Sequence, residues 1–119
     1  MTNQHRRTGT AWENVCKDYL RSQGLWVERE DFSSPLGDLR GLPITIECKA
    51  RKSMDPAEFL TQVKKSDAKT GHGMYVILSK KRMANVKDGY FLTDIEHGAI
   101  LMRAYVTCVQ RGLLEEIAA

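Results

Sequence analysis

The chain has 119 residues, 42% hydrophobic and 28% charged, with a formal net charge of +3. That is one domain with a modest core, and no apolar run approaches the roughly 18 residues of a membrane span. Cys16, Cys48 and Cys108 are odd in number and widely spaced, and His5, His72 and His97 form no ligand pattern, so neither a disulfide framework nor a zinc site is expected. The start, Met1 to Arg7, is polar and basic with no apolar segment behind it, so no signal peptide is expected and the compartment is taken as a reducing cytoplasm.

Residues 1–8 read as a flexible basic arm, with Arg6 and Arg7 free to wrap a polyanion. Thr10-Ala11-Trp12-Glu13 has the spacing of a capping box, and Trp12, Val15, Cys16, Tyr19 and Leu20 then form an apolar helical stripe that Gly24 ends. Leu25 to Glu30 alternates like a strand, and Ser33-Ser34-Pro35 reads as a turn. Two strands joined by a turn follow, from Asp38 to Lys49. Asp55-Pro56-Ala57-Glu58 predicts a helix start, with Phe59, Leu60 and Val63 inward and Gly71-His72-Gly73 as the stop. Met74 to Ser79 predicts a buried strand and Gly89 to Thr93 another. Thr93-Asp94-Ile95-Glu96 predicts a third capping box, before a seam of Ile95, Ala99, Met102, Val106, Val109 and Leu113 in alternating steps of four and three. Gly98 and Gly112 argue against one unbroken helix. The tail, 105–119 included, packs either on its own sheet or on a second copy of the chain, and the expected assembly is a homodimer. The order predicts a single α/β or α+β domain, a mixed central sheet flanked by helices.

The chemistry concentrates on the second strand of the hairpin. There Ile44, Ile46 and Cys48 share one face and Thr45, Glu47 and Lys49 the other. Glu47 and Lys49 then lie roughly 6–7 Å apart along the strand, and Asp38 can reach the same face from the strand before. Two carboxylates and an ammonium at a strand end suit metal-assisted phosphodiester hydrolysis: the acids hold a hard cation, and the lysine orients water or offsets developing charge. Alternating charges on a half-buried strand are also an ordinary solvent face.

The spacing of Asp38, Glu47 and Lys49 resembles the motif of the PD-(D/E)XK nuclease superfamily, with Gly37-Asp38 in place of its Pro-Asp. Size and element order, from about Gly9 to about Ala104, resemble the small Holliday-junction resolvases of archaea and related phage proteins. The resemblance implies a restriction-endonuclease-like fold, with Mg²⁺ or Mn²⁺ bound by Asp38, Glu47 and the backbone carbonyl of Cys48, whose side chain points idly into the core. It implies that Lys49 orients the attacking water and that the products are a 5′-phosphate and a 3′-hydroxyl. Glu13 would match a helix-borne glutamate that helps to hold metal; its other reading is the glutamate of the capping box. Gln62 would match a polar residue that related nucleases place on the helix after Glu-x-Lys. Its face, with Glu58, Lys65 and Lys69, tracks a DNA backbone or is simply solvated.

Basic residues fill the middle of the chain while acids gather near the ends, a distribution that suits a nucleic-acid partner. Arg51, Lys52, Lys80, Lys81 and Arg82 are further phosphate-contact candidates, and a membrane partner is not expected. The function expected is a magnesium-dependent endonuclease for four-way or other branched DNA. The alternatives are a nicking, repair or restriction-type nuclease on linear or single-stranded DNA, and a non-catalytic binding protein.

Overall fold

A computed structural model describes residues 3–30 and 35–118, with side chains for residues 9–30 and 35–116. Its order is α1 (Asn3–Ser22), β1 (Glu28–Arg29), β2 (Leu39–Arg40), β3 (Thr45–Lys49), α2 (Pro56–Thr70), β4 (Tyr75–Ser79), a 3-10 turn (Val86–Asp88), β5 (Tyr90–Leu92), α3 (Ile95–Gln110) and α4 (Leu114–Ala118). The strands form one sheet in the order β1-β2-β3-β4-β5. β3 and β4 run parallel, and the other neighbours are antiparallel. This is the mixed, helix-flanked α+β sheet that the sequence order predicts.

The alternation of β3 divides the core. Ile46 joins Trp12, Cys16, Val27, Leu39 and Val76 under α1, with Ile44 and Cys48 packed against them. Trp12 also donates from its indole Nε1 to the Leu78 carbonyl at 2.9 Å, tying α1 to β4. On the opposite face Phe59 and Val63 of α2 pack on Tyr75 and Ile77 of β4. α2 starts where expected: Asp55 accepts from the Glu58 amide, Pro56 occupies the first turn, and Gly71 closes the helix at φ 74°.

Four expectations change. α1 begins at Asn3, so Thr10 lies inside the helix rather than at its N-cap. Arg6 and Arg7 accordingly belong to the first turns of α1, not to an arm, and their side chains lie outside the described residues. The cap of α3 is Asp94, which accepts from the His97 amide at 2.8 Å, while Thr93 donates from its hydroxyl to the Tyr75 carbonyl. α3 runs through Gly98 without a break, and Gly112 at φ 68° turns the chain beyond its end. The Ser33-Ser34 part of the predicted turn lies outside the described residues.

Two glycines shape the hairpin. Gly41 sits at φ 125°, and a Cβ there would meet the Trp26 carbonyl oxygen at 2.7 Å. Gly37 sits at φ 104°, and a Cβ would lie 3.0 Å from the Ile46 carbonyl oxygen. Proline, held near φ −65°, cannot adopt that conformation, which gives a physical reason for glycine before Asp38. Gly37→Ala is expected to lower unfolding free energy by about 1–3 kcal/mol through strain and close approach. Urea denaturation would check this; a midpoint equal to wild type would mean that the backbone relaxes freely there.

Candidate metal centre

The site is built where β2 and β3 meet the middle of α2. Beyond Gly37 the chain returns to β3 through the Asp38 amide, which donates to the Ile46 carbonyl at 2.8 Å. The Asp38 side chain then takes a ladder position: its Oδ2 accepts from the Cys48 amide at 2.7 Å. In a strand the N–H and C=O of one residue point to the same side, so the Cys48 carbonyl also opens toward Asp38.

α2 runs antiparallel to β3 and meets each outward residue in turn. Thr45 Oγ1 donates to Asp67 and lies 2.8 Å from the Thr70 hydroxyl. Ser66 Oγ donates to Glu47 at 2.9 Å. Lys49 Nζ donates to the Gln62 side-chain carbonyl. Arg51 pairs with Glu58 at 2.9 Å. Four residues of helix rise about 6 Å and two residues of strand about 6.6 Å, so the two registers match over the whole run.

The carboxylates sit in electrostatic conflict. Glu47 is pushed up to about 7, first by burial, then by the Asp38 charge and a hydrogen bond shared with Asp38; Ser66 and Lys49 pull it down without prevailing. Glu13, from α1, is raised by burial and by Asp38, against the charge and hydrogen bond of Arg29. Arg29 Nη1 lies 3.6 Å from Glu13 Oε1, and both residues are partly buried. Since Thr10 caps nothing, Glu13 has no capping-box duty and lies in mid-helix facing this site. It approaches the pair from the side of Asp38, whose charge raises it, while Arg29 holds it from the other. The Cys48 thiol is pushed well up by its contact with the Cys16 thiol, by burial and by the nearby acids, so it stays protonated and inert in the core.

Among the described residues, Asp94, Glu96 and His97 could also hold a cation. Asp94 and His97 are already engaged, while Glu96 is exposed. Asp94 Oδ1 accepts from the His97 amide and lies 2.6 Å from His97 Nδ1, and its Oδ2 accepts from the Tyr75 hydroxyl. Burial would raise Asp94, but the Tyr75 and His97 hydrogen bonds hold it down near 2. The cluster is the anchor of α3 rather than a ligand set.

The structure thus brings Asp38, Glu47, Lys49 and Gln62 together, with Glu13 beside Asp38. It does not bring Lys65 and Lys69, which are exposed on the outer side of α2. Lys52, Lys80, Lys81 and Arg82 are exposed on two loops that leave adjacent strands at one end, joined by the Lys80 amide donating to the Lys49 carbonyl at 2.8 Å. Arg51 belongs to the first of these loops but spends its charge on Glu58. Two residues were missed. Ser66 had a signal, one turn beyond Gln62; Arg29 had none, lying between Glu28 and Glu30. Met83, at the tip of the second loop, is 96% exposed with φ 62°, also without a sequence signal.

The raised Glu47 fixes a pH dependence. Its folded value lies above the ordinary 4.5, so the folded state holds the proton more tightly than the unfolded state. The benefit is full below about pH 4.5, and stability falls as pH rises from there through about 7. Melts in chelator are expected to show this loss in the wild type and less of it in Glu47→Gln; equal slopes would remove Glu47 as the source.

No family model, no curated protein and no solved structure matches this chain.

Proposed function

We propose that the protein is a divalent-metal-dependent endonuclease acting on DNA, with branched DNA as its substrate. One observation carries the reading: Asp38, held by the Cys48 amide, and Glu47, held by Ser66, converge on one strand end so that the charge of Asp38 helps to raise Glu47, with Lys49 next to Cys48 along the strand. Two half-buried acids of like charge are held together at a cost that a divalent cation would relieve. All the donors are oxygens, which suits Mg²⁺ or Mn²⁺.

Asp38, Glu47 and the Cys48 carbonyl would hold the ion, with Glu13 as an outer partner. When bound, such an ion acidifies water and offsets charge on a phosphodiester. Gln62 fixes the Lys49 ammonium on the Glu47 face, where it can orient water or meet charge developing on phosphate. Arg29 offers a second cation once Glu13 turns elsewhere. Lys52, Lys80, Lys81 and Arg82 would contact the backbone of the substrate, recognition that follows shape and charge rather than base identity. Among the described residues no helix is long and apolar enough to cross a membrane.

The test is cleavage of a labelled four-way junction and a matched linear duplex in Mg²⁺. The wild type is expected to cut the junction at symmetric positions and Asp38→Asn to lose at least about 100-fold. Cutting of both substrates would move the reading to a general nuclease. Absent cutting with metal-independent binding would leave a binding protein. Separately, millimolar Mg²⁺ or Mn²⁺ is expected to raise the melting temperature of the wild type and not of Asp38→Asn; an unchanged wild-type melt would count against the ligand set.

A further inference from the structure

α3 is a helix of 16 residues none of which is buried. The heptad-spaced residues Ile95, Ala99, Met102, Val106 and Val109 face outward; Ile95 is 88% exposed and Met102 63%. The helix rests on its own domain instead through its cap and through Leu101, which packs on the α1 core. The seam therefore does not pack on its own sheet. A continuous apolar stripe on solvent is the mark of an interaction face.

We propose that this stripe pairs with α3 of a second copy, antiparallel about a two-fold axis. The helix itself selects the partner and the direction. Set Ala99 against the second copy's Met102, as successive layers of an antiparallel coiled coil require. The same register puts Ile95 against the second copy's Val106. It puts Glu96 beside the second copy's Arg103, the two formal charges of α3, and both are exposed. A parallel pair in register would instead set each of them, both at e, against a g position of the second copy, Arg103 against Gly98, and leave both charges without a partner. The antiparallel register also lays Tyr105, 61% exposed, over the second copy's Gly98.

Gly98 adds an independent observation. Its φ is not positive, and a Cβ there would meet only Thr93 Cγ2, at an ordinary 3.6 Å. Nothing inside its own chain asks for glycine, although glycine weakens a helix. Room for the Tyr105 ring of a second copy supplies the missing reason. By two-fold symmetry each of these contacts occurs twice.

The proposal needs neither metal nor DNA, and its test uses neither. Sedimentation equilibrium of the full chain from about 1 to about 100 µM is expected to show a monomer–dimer equilibrium, in the micromolar range since one helix pair is a small interface. Met102→Asp, at an exposed position, should give a monomer that melts as the wild type does below its Kd, where both are monomeric. Glu96→Lys and Arg103→Glu should each raise Kd about tenfold, and the double variant should return to within about threefold of wild type. A monomer at about 100 µM would overturn the proposal, as would a dimer indifferent to Met102→Asp. A double variant no better than the singles would overturn the antiparallel register. Failure here leaves the nuclease reading standing, and failure of cleavage leaves this one standing.

Discussion

The match between the rise of α2 and the rise of β3 is the constraint on which the site depends. One turn of helix and two residues of strand advance by nearly the same distance, so four polar pairs align without distortion, from Thr45 with Thr70 and Asp67 to Arg51 with Glu58. The inner pairs are Glu47 with Ser66 and Lys49 with Gln62. Phe59 and Val63, on the apolar side of the same helix, fix its height above the sheet. Sliding α2 by one turn would leave each pair mismatched at once, so the packing of the core and the aim of Lys49 are a single property.

Against this rigid frame the acids are left in deliberate discomfort. Among the described residues no buried side-chain polar atom lacks a hydrogen-bond partner, so the strain is one of charge and not of missing bonds. Glu47 is drawn in by Ser66 and Asp38 by the Cys48 amide, and the two meet because each has a firm neutral donor. Lys49 does not neutralise them; its ammonium is engaged by Gln62. A site that kept its lysine on its acids would be calmer and would have less reason to admit a cation.

Much of this was legible in residue order. The alternation of Ile44, Ile46 and Cys48 against Thr45, Glu47 and Lys49 needs only the period of a strand, and it holds. The cap at Asp55 and the stop at Gly71 are local chemistry and hold as well. What failed was competition among local signals. Thr10 had the right spacing for a cap, yet the backbone was already helical. At the start of α3 both Thr93 and Asp94 could cap, and the stronger acceptor won while Thr93 turned to the Tyr75 carbonyl. Arg29 was invisible because its meaning lies in Glu13, sixteen residues earlier, and only the sheet brings them together.

The anchoring of α3 is lopsided. Tyr75, Thr93 and His97 converge on the first turn, Leu101 follows one turn later, and the outer side of the remaining turns is bare. A helix clamped at one end frays from the other. In an isolated copy, amide hydrogens near His97 should therefore exchange slowly with solvent deuterium and those near Val109 quickly, a gradient along a single element. Such a gradient makes the last turns of α3 softer than its first, and the end of that helix at which a protease would enter.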